Sequence, residues 1–185
     1  MHSDHPALFL DRDGVINKDL GHVYRIEDFH FLPHVLTSCR QFHEAGYKLV
    51  VVTNQAGLAK GYYTTHAFQI LSNWMSNVFQ EAGAPLSGIY YCPHHPEGSI
   101  SEFKGVCMCR KPAPGLFLRA KKELRLDMPN SILVGDKDSD VLAARAAGVR
   151  THYLIGPTDT QDSSSSLDPS VPYISSLLEI TRLLA

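Results

Sequence analysis

Ala7-Leu8-Phe9-Leu10-Asp11-Arg12-Asp13-Gly14 is the stretch on which the fold turns. Four apolar residues run without interruption into an acidic pair and a glycine. A short, continuous apolar run suits a strand buried on both faces, as in a parallel sheet. Side chains two apart on an extended chain point the same way, so Asp11 and Asp13 share one face and Arg12 does not. Gly14 then permits a sharp turn and a close approach of backbone to a ligand. Taken alone, the acidic pair also fits a helix cap or a structural cation site.

Outward from this segment the same pattern recurs. Leu49 to Val52, Ile89 to Tyr91, Ile132 to Val134 and Thr151 to Leu154 are further short apolar or β-favouring runs, giving five strands. Between them, helical spacing links Val35, Cys39 and Phe42, then Leu71, Trp74, Met75, Val78 and Ala82. It recurs in Phe117, Ala120 and Leu124, and in Val141, Leu142 and Ala146. Gly46, Gly83 and Gly148 stand where left-handed helix ends are wanted, and Pro114 suits a first turn. Strand alternating with helix predicts an α/β doubly wound fold with a mostly parallel sheet of five to six strands. No repeat argues for a solenoid. Gly156 to Pro172, rich in Ser, Asp, Thr and Pro, reads as an exposed loop before a last helix, Ile174 to Leu184.

The second strand ends Val52-Thr53-Asn54-Gln55 and the fourth ends Val134-Gly135-Asp136-Lys137-Asp138. In an open parallel sheet these ends lie on the carboxyl edge, where ligands of this fold class bind. Polar residues beginning a loop would explain one such end, but explain Asp, Thr and Asp at three of them poorly.

At 185 residues, one domain spanning the whole chain is expected, with a core large enough to hold a rigid site. Lys and Arg number 17 against 19 Asp and Glu, a formal charge of −2, and no block of like charge stands out. Neither nucleic acid nor an anionic membrane is favoured as a partner. Met1 to Pro6 lacks the features of a leader, and the longest apolar runs are too short to span a bilayer. A soluble, cytoplasmic protein is the expectation.

Cys92, His94, Cys107 and Cys109 form two close pairs separated by a loop, while Cys39 is remote. In a reducing compartment three thiols and an imidazole suit a closed tetrahedral Zn²⁺ site with a structural role. His95 is an alternative ligand, and free thiols beside a surface histidine are the plainer reading. Arg110-Lys111-Pro112 follows at once, so a clamp on Cys109 would fix the backbone from which Lys111 projects.

Asp11-Arg12-Asp13-Gly14, Thr53-Asn54, Lys111, and Gly135-Asp136 followed by Asp140 resemble the four ordered motifs of haloacid dehalogenase-type phosphatases. The resemblance implies that Asp11 attacks phosphorus and that Asp13 serves as general acid and then base. It implies that Thr53 and Lys111 hold phosphoryl oxygens. Catalytic Mg²⁺ would be bound by Asp11, Asp136 and the backbone carbonyl of Asp13. The run from Cys92 to Gly98, with Cys107-Met108-Cys109-Arg110-Lys111-Pro112, is similar to the zinc-containing branch that holds heptose bisphosphate and histidinol-phosphate phosphatases. The longer stretch between the paired ligands, Thr53-Asn54-Gln55-Ala56-Gly57 and Asp19-Leu20-Gly21-His22 look like the heptose branch.

That family hydrolyses the 7-phosphate of D-glycero-D-manno-heptose 1,7-bisphosphate on the way to ADP- or GDP-activated heptose. By the same resemblance Asp19, Leu20, Gly21, His22, Asn54, Gln55, Ala56, Arg110 and Lys137 would contact the sugar phosphate. The chain would act as a monomer with no large cap domain. Histidinol phosphate is the alternative substrate. A phospho-accepting receiver domain and a non-catalytic, zinc-stabilised interaction module are readings of another class.

Physical chemistry asks for such partners independently. An aspartate with an ordinary pKa of about 3.9 is ionised at neutral pH and must approach an anionic phosphate. Between unit charges about 4 Å apart the repulsion is roughly 4 kcal/mol at an effective dielectric near 20. A hard cation and a lysine ammonium would offset it.

Overall fold

The computed structural model describes residues 4–156, 168 and 170–184. Among these residues six strands form one sheet in the order β3-β2-β1-β4-β5-β6, every neighbouring pair parallel. They are β1 (Ala7–Leu10), β2 (Lys48–Asn54), β3 (Leu86–Cys92), β4 (Ile132–Gly135), β5 (Thr151–Ile155) and β6 (Tyr173–Ile174). The helices are α1 (Val35–Glu44), α2 (Ala56–Lys60), α3 (Thr65–Glu81), α4 (Gly115–Leu124) and α5 (Asp138–Ala146).

The period of two in β1 divides the core. Leu8 and Leu10 pack on one face with Val35, Cys39 and Phe42 of α1 and Leu71, Met75 and Phe79 of α3. Ala7 and Phe9 pack on the other face with Leu116, Phe117 and Ala120 of α4 and Val141, Ala143 and Ala144 of α5. Burial on both sides explains why β1 and β4 read as unbroken apolar runs instead of alternating ones. Gly46, Gly83 and Gly148 adopt positive φ at helix ends, as expected. Pro114 stands at the N-cap, one residue before α4 begins.

The C-terminal region differs from expectation. In place of one helix over 174–184, Tyr173 and Ile174 pair with Leu154 and Ile155 as a sixth strand. The helical turn begins at Leu177 and is of the tighter 3₁₀ type. A two-residue strand is too short to show a period of two, which is why Ile174 reads as the start of the helix. The expected loop over 156–172 lies for the most part outside the described residues.

Strand order runs one way from β1 through β2 to β3 and the other way through β4 to β6, so the crevice opens at the carboxyl ends of β1 and β4. Among the described residues, the connections after β1 and after β3 carry only isolated bridges and a single 3₁₀ turn, Ser101–Phe103. No cap domain is built from them. No helix among the described residues is long and apolar enough to cross a membrane.

Candidate active site

A cleft of about 490 Å³ opens at this crevice. Asp11 and Asp13 line it from the end of β1, Thr53, Asn54, Gln55 and Ala56 from the end of β2, and Arg110 and Lys111 from the loop before α4. Asp19, Gly21 and His22 close one side and Lys137 another. Leu20 is half exposed and is not among the lining residues. Arg12 also lies outside the lining, as the alternation along β1 requires. Lys60, His95, Ser139 and Asp140 complete the wall. Of these, the sequence marks Asp140 within a motif and without a role, and His95 as an alternative zinc ligand.

Lys111 is 3 % exposed, and its ammonium has three partners. Its Nζ lies 3.1 Å from Asp11 Oδ1 and 2.7 Å from Asp140 Oδ1, and donates to the Val52 carbonyl at 2.8 Å. Burial works against the charge, but the Asp11 and Asp140 carboxylates outweigh it and hold the group above the usual lysine range. Asn54 fixes the lysine's backbone by a reciprocal pair: Nδ2 donates to the Lys111 carbonyl and Oδ1 accepts from the Lys111 N–H, both at 3.1 Å.

Burial pushes the Asp11 carboxyl up to about 7; the Lys111 ammonium pulls it down, and Asp140 and Asp136 push it up again. Asp136 is likewise raised, chiefly by burial, with Lys137 3.0 Å away opposing. For both carboxylates burial outweighs the pull of the neighbouring ammonium group.

Ligand oxygens of Asp11, Asp136 and Asp140 lie within 4.8 Å of one another. Asp136 Oδ1 is buried with no hydrogen-bond partner. Both Asp140 oxygens are engaged, Oδ1 with Lys111 and Oδ2 as acceptor from the backbone N–H groups of Asp136 and Lys137. Asp140 therefore braces the site, leaving Asp11 and Asp136 as the oxygens suited to a hard divalent cation.

Asp13 turns its side chain to a different set of partners. Its oxygens accept from Arg12, from Asn17 Nδ2 at 3.0 Å and from Gln55 Nε2 at 3.1 Å. Gln55 also donates to Thr53 Oγ1 at 2.8 Å, linking the second carboxylate to the hydroxyl at the end of β2.

Beside the cleft, Cys92, His94, Cys107 and Cys109 bring their donor atoms within 4.8 Å of one another. Sulfur separations are 3.5 Å for Cys92–Cys107, 3.1 Å for Cys92–Cys109 and 3.3 Å for Cys107–Cys109. His94 Nδ1 lies 3.3 Å from Cys109 Sγ. A tetrahedron with Zn–S bonds of about 2.3 Å has edges of roughly 3.8 Å, so a zinc ion fits with slight expansion. His95 lies on the cleft wall outside this cluster, and its Nδ1 accepts from the Glu97 N–H. Arg110 Nη1 donates to the His94 carbonyl at 3.2 Å, tying the cluster to the cleft.

Comparison with known proteins gives a consistent picture. A HAD-hydrolase-like family profile matches residues 108–179. The chain is 46% identical over 165 residues to the D-glycero-beta-D-manno-heptose-1,7-bisphosphate 7-phosphatase of Yersinia pestis, covering 88% of each. It is 38% identical over 181 residues to the corresponding alpha-heptose phosphatase of Photorhabdus laumondii, covering 96% of this chain and 99% of that one. Among solved structures, the D,D-heptose 1,7-bisphosphate phosphatase of B. bronchiseptica, complexed with magnesium and phosphate, superposes with a TM-score of 0.81 at 27% identity over 97% of both chains.

Proposed function

The chain belongs to the heptose-1,7-bisphosphate 7-phosphatases of the HAD-like hydrolases, and from that membership we propose that it removes the 7-phosphate of D-glycero-D-manno-heptose 1,7-bisphosphate. It is a phosphoric monoester hydrolase dependent on Mg²⁺, which Asp11, Asp136 and the Asp13 carbonyl would hold. Bound there, the cation supplies positive charge against the transferring phosphoryl group. The observation that carries the reading is Lys111 held between Asp11 and Asp140, beside the partnerless oxygen of Asp136.

In the first half-reaction an Asp11 oxygen bonds to phosphorus in line with the departing sugar oxygen. The bond from phosphorus to that oxygen breaks, and Asp13 hands the oxygen its proton. Thr53 and Lys111 donate to the phosphoryl oxygens, the lysine countering the repulsion between carboxylate and phosphate. In the second half-reaction water attacks the aspartyl phosphate while Asp13 takes the proton back. Inorganic phosphate and heptose 1-phosphate leave, and both aspartates are restored.

Bisphosphate selectivity is supported by the Lys60 and Arg110 cations, which line the same cleft as Lys111 and suit a second phosphate. Asp19, Gln55 and Ala56 line the cleft as well and offer contacts to the sugar. Zn²⁺ at the cysteine cluster has a structural role, fixing the chain that leads into Arg110 and Lys111. Steady-state kinetics on both heptose bisphosphate anomers and on histidinol phosphate tests the reading. A higher kcat/KM for a heptose bisphosphate is expected, and a preference for histidinol phosphate would overturn the substrate assignment.

A further inference from the structure

Behind Asp13 lies a charged group that the chemistry above does not use. Arg12 is 1 % exposed and faces away from the cleft. Its Nη2 donates to Asp13 Oδ1 at 3.0 Å and Oδ2 at 2.8 Å, and its Nε reaches Oδ1 at 3.3 Å. The same Nη2 donates to the Val23 carbonyl at 2.6 Å. Val23 directly follows the cleft residues Gly21 and His22. Three acceptors thus compete for the hydrogens of Nη2, while Nη1 is buried without a partner. The guanidinium carbon sits 5.9 Å from the centre of the Phe68 ring.

A buried guanidinium is a poor way to gain stability, since desolvation consumes much of what its ion pair returns. An apolar side chain would fill the space at less cost. What the arginine supplies and an apolar residue cannot is a fork of donors on the Asp13 carboxylate. Every partner of that carboxylate is a donor: Arg12, Asn17 and Gln55. Fork and amides together fix where the two oxygens of that carboxylate stand.

We propose that Arg12 is a positioning residue, aligning the Asp13 carboxyl group with the leaving oxygen and tying it to the substrate loop through Val23. The proposal rests on the phosphatase reading. Because the fork acts on the proton-transfer partner and not on phosphorus, its worth depends on how much the leaving group needs a proton. A nitrophenolate leaves readily without one, whereas phenolate and alkoxide do not.

The test compares wild type, Arg12→Lys and Arg12→Gln with Mg²⁺ on 4-nitrophenyl phosphate, phenyl phosphate and the heptose bisphosphate. Departure of the leaving group ends the steps that kcat/KM reports, so hydrolysis of the aspartyl phosphate does not enter. For Arg12→Gln a fall of about 30-fold or more is expected on phenyl phosphate and the heptose ester, against about threefold on the nitrophenyl ester. Arg12→Lys keeps the charge without the fork and should fall between, with a slope against leaving-group basicity steeper than wild type. If Arg12→Gln does not fold, that slope in Arg12→Lys decides alone. Equal losses on every ester, or none, would overturn the proposal. A wild-type protein that hydrolyses no ester would remove the phosphatase reading, and this inference with it.

Discussion

A Cβ placed on Gly14 would lie 2.7 Å from Asp136 Oδ2, so the turn after β1 and the acidic end of β4 are in contact through a missing side chain. Gly14 also has φ +87°, where an L residue is strained. Gly14→Ala should therefore displace the Asp136 carboxylate and cost about 1–2 kcal/mol of stability. Titration with Mg²⁺ should show weaker binding. Unchanged Mg²⁺ affinity would show that Asp136 is not a ligand.

Replacing Lys111 by Met removes the only ammonium recorded between Asp11 and Asp140 among the described residues. Two buried carboxylates are then left facing each other. A loss of about 3 kcal/mol in unfolding free energy and of about a hundredfold or more in kcat is expected. Denaturant unfolding and steady-state kinetics read the two separately. Full activity in this variant would rule out lysine assistance.

Asp11 titrates near 7 in the metal-free protein, raised from 3.8 mainly by burial. The sign follows from linkage. The folded state holds a proton that the unfolded state has lost, so this contribution to stability is full below about 3.8 and disappears as pH rises through about 7. Mg²⁺ must displace that proton and gains as it goes. The rise in Tm on adding Mg²⁺ should grow from about pH 5 to about pH 7 and then level off. A rise independent of pH over this window would contradict a buried Asp11 that holds its proton up to about 7.

Metal analysis of purified protein should find one zinc per chain. Its removal by chelation, with Mg²⁺ restored, should lower kcat/KM about tenfold, because Arg110 is tied to the His94 carbonyl inside the cluster. Fully active protein free of zinc would remove the structural role.

Much of this was readable before any coordinates. The strand at Ala7–Leu10 and its double burial follow from an unbroken apolar run, and the carboxyl-edge cleft follows from polar residues at three strand ends. Nothing in the local sequence marks Lys60, and His95 reads there only as an alternative zinc ligand; the fold brings both to the cleft, from α2 and from the loop after β3. Helix α2 is five residues long, too short for a helical period to register. Arg12 was correctly placed off the shared face of Asp11 and Asp13, yet an alternation rule says nothing about which carboxylate a long side chain bends back to hold. Asn54 lines the cleft, and the commitment of both ends of its amide to the Lys111 backbone is a tie between distant segments that no local pattern announces.

The measurement that bears most directly on the whole account is a rapid quench during turnover with borohydride, followed by peptide mass spectrometry. An acyl phosphate on the nucleophile is reduced to the alcohol, so the expected result is reduction confined to position 11 and absent without substrate. Turnover with no reduced residue, or with reduction at another aspartate, would contradict attack by Asp11.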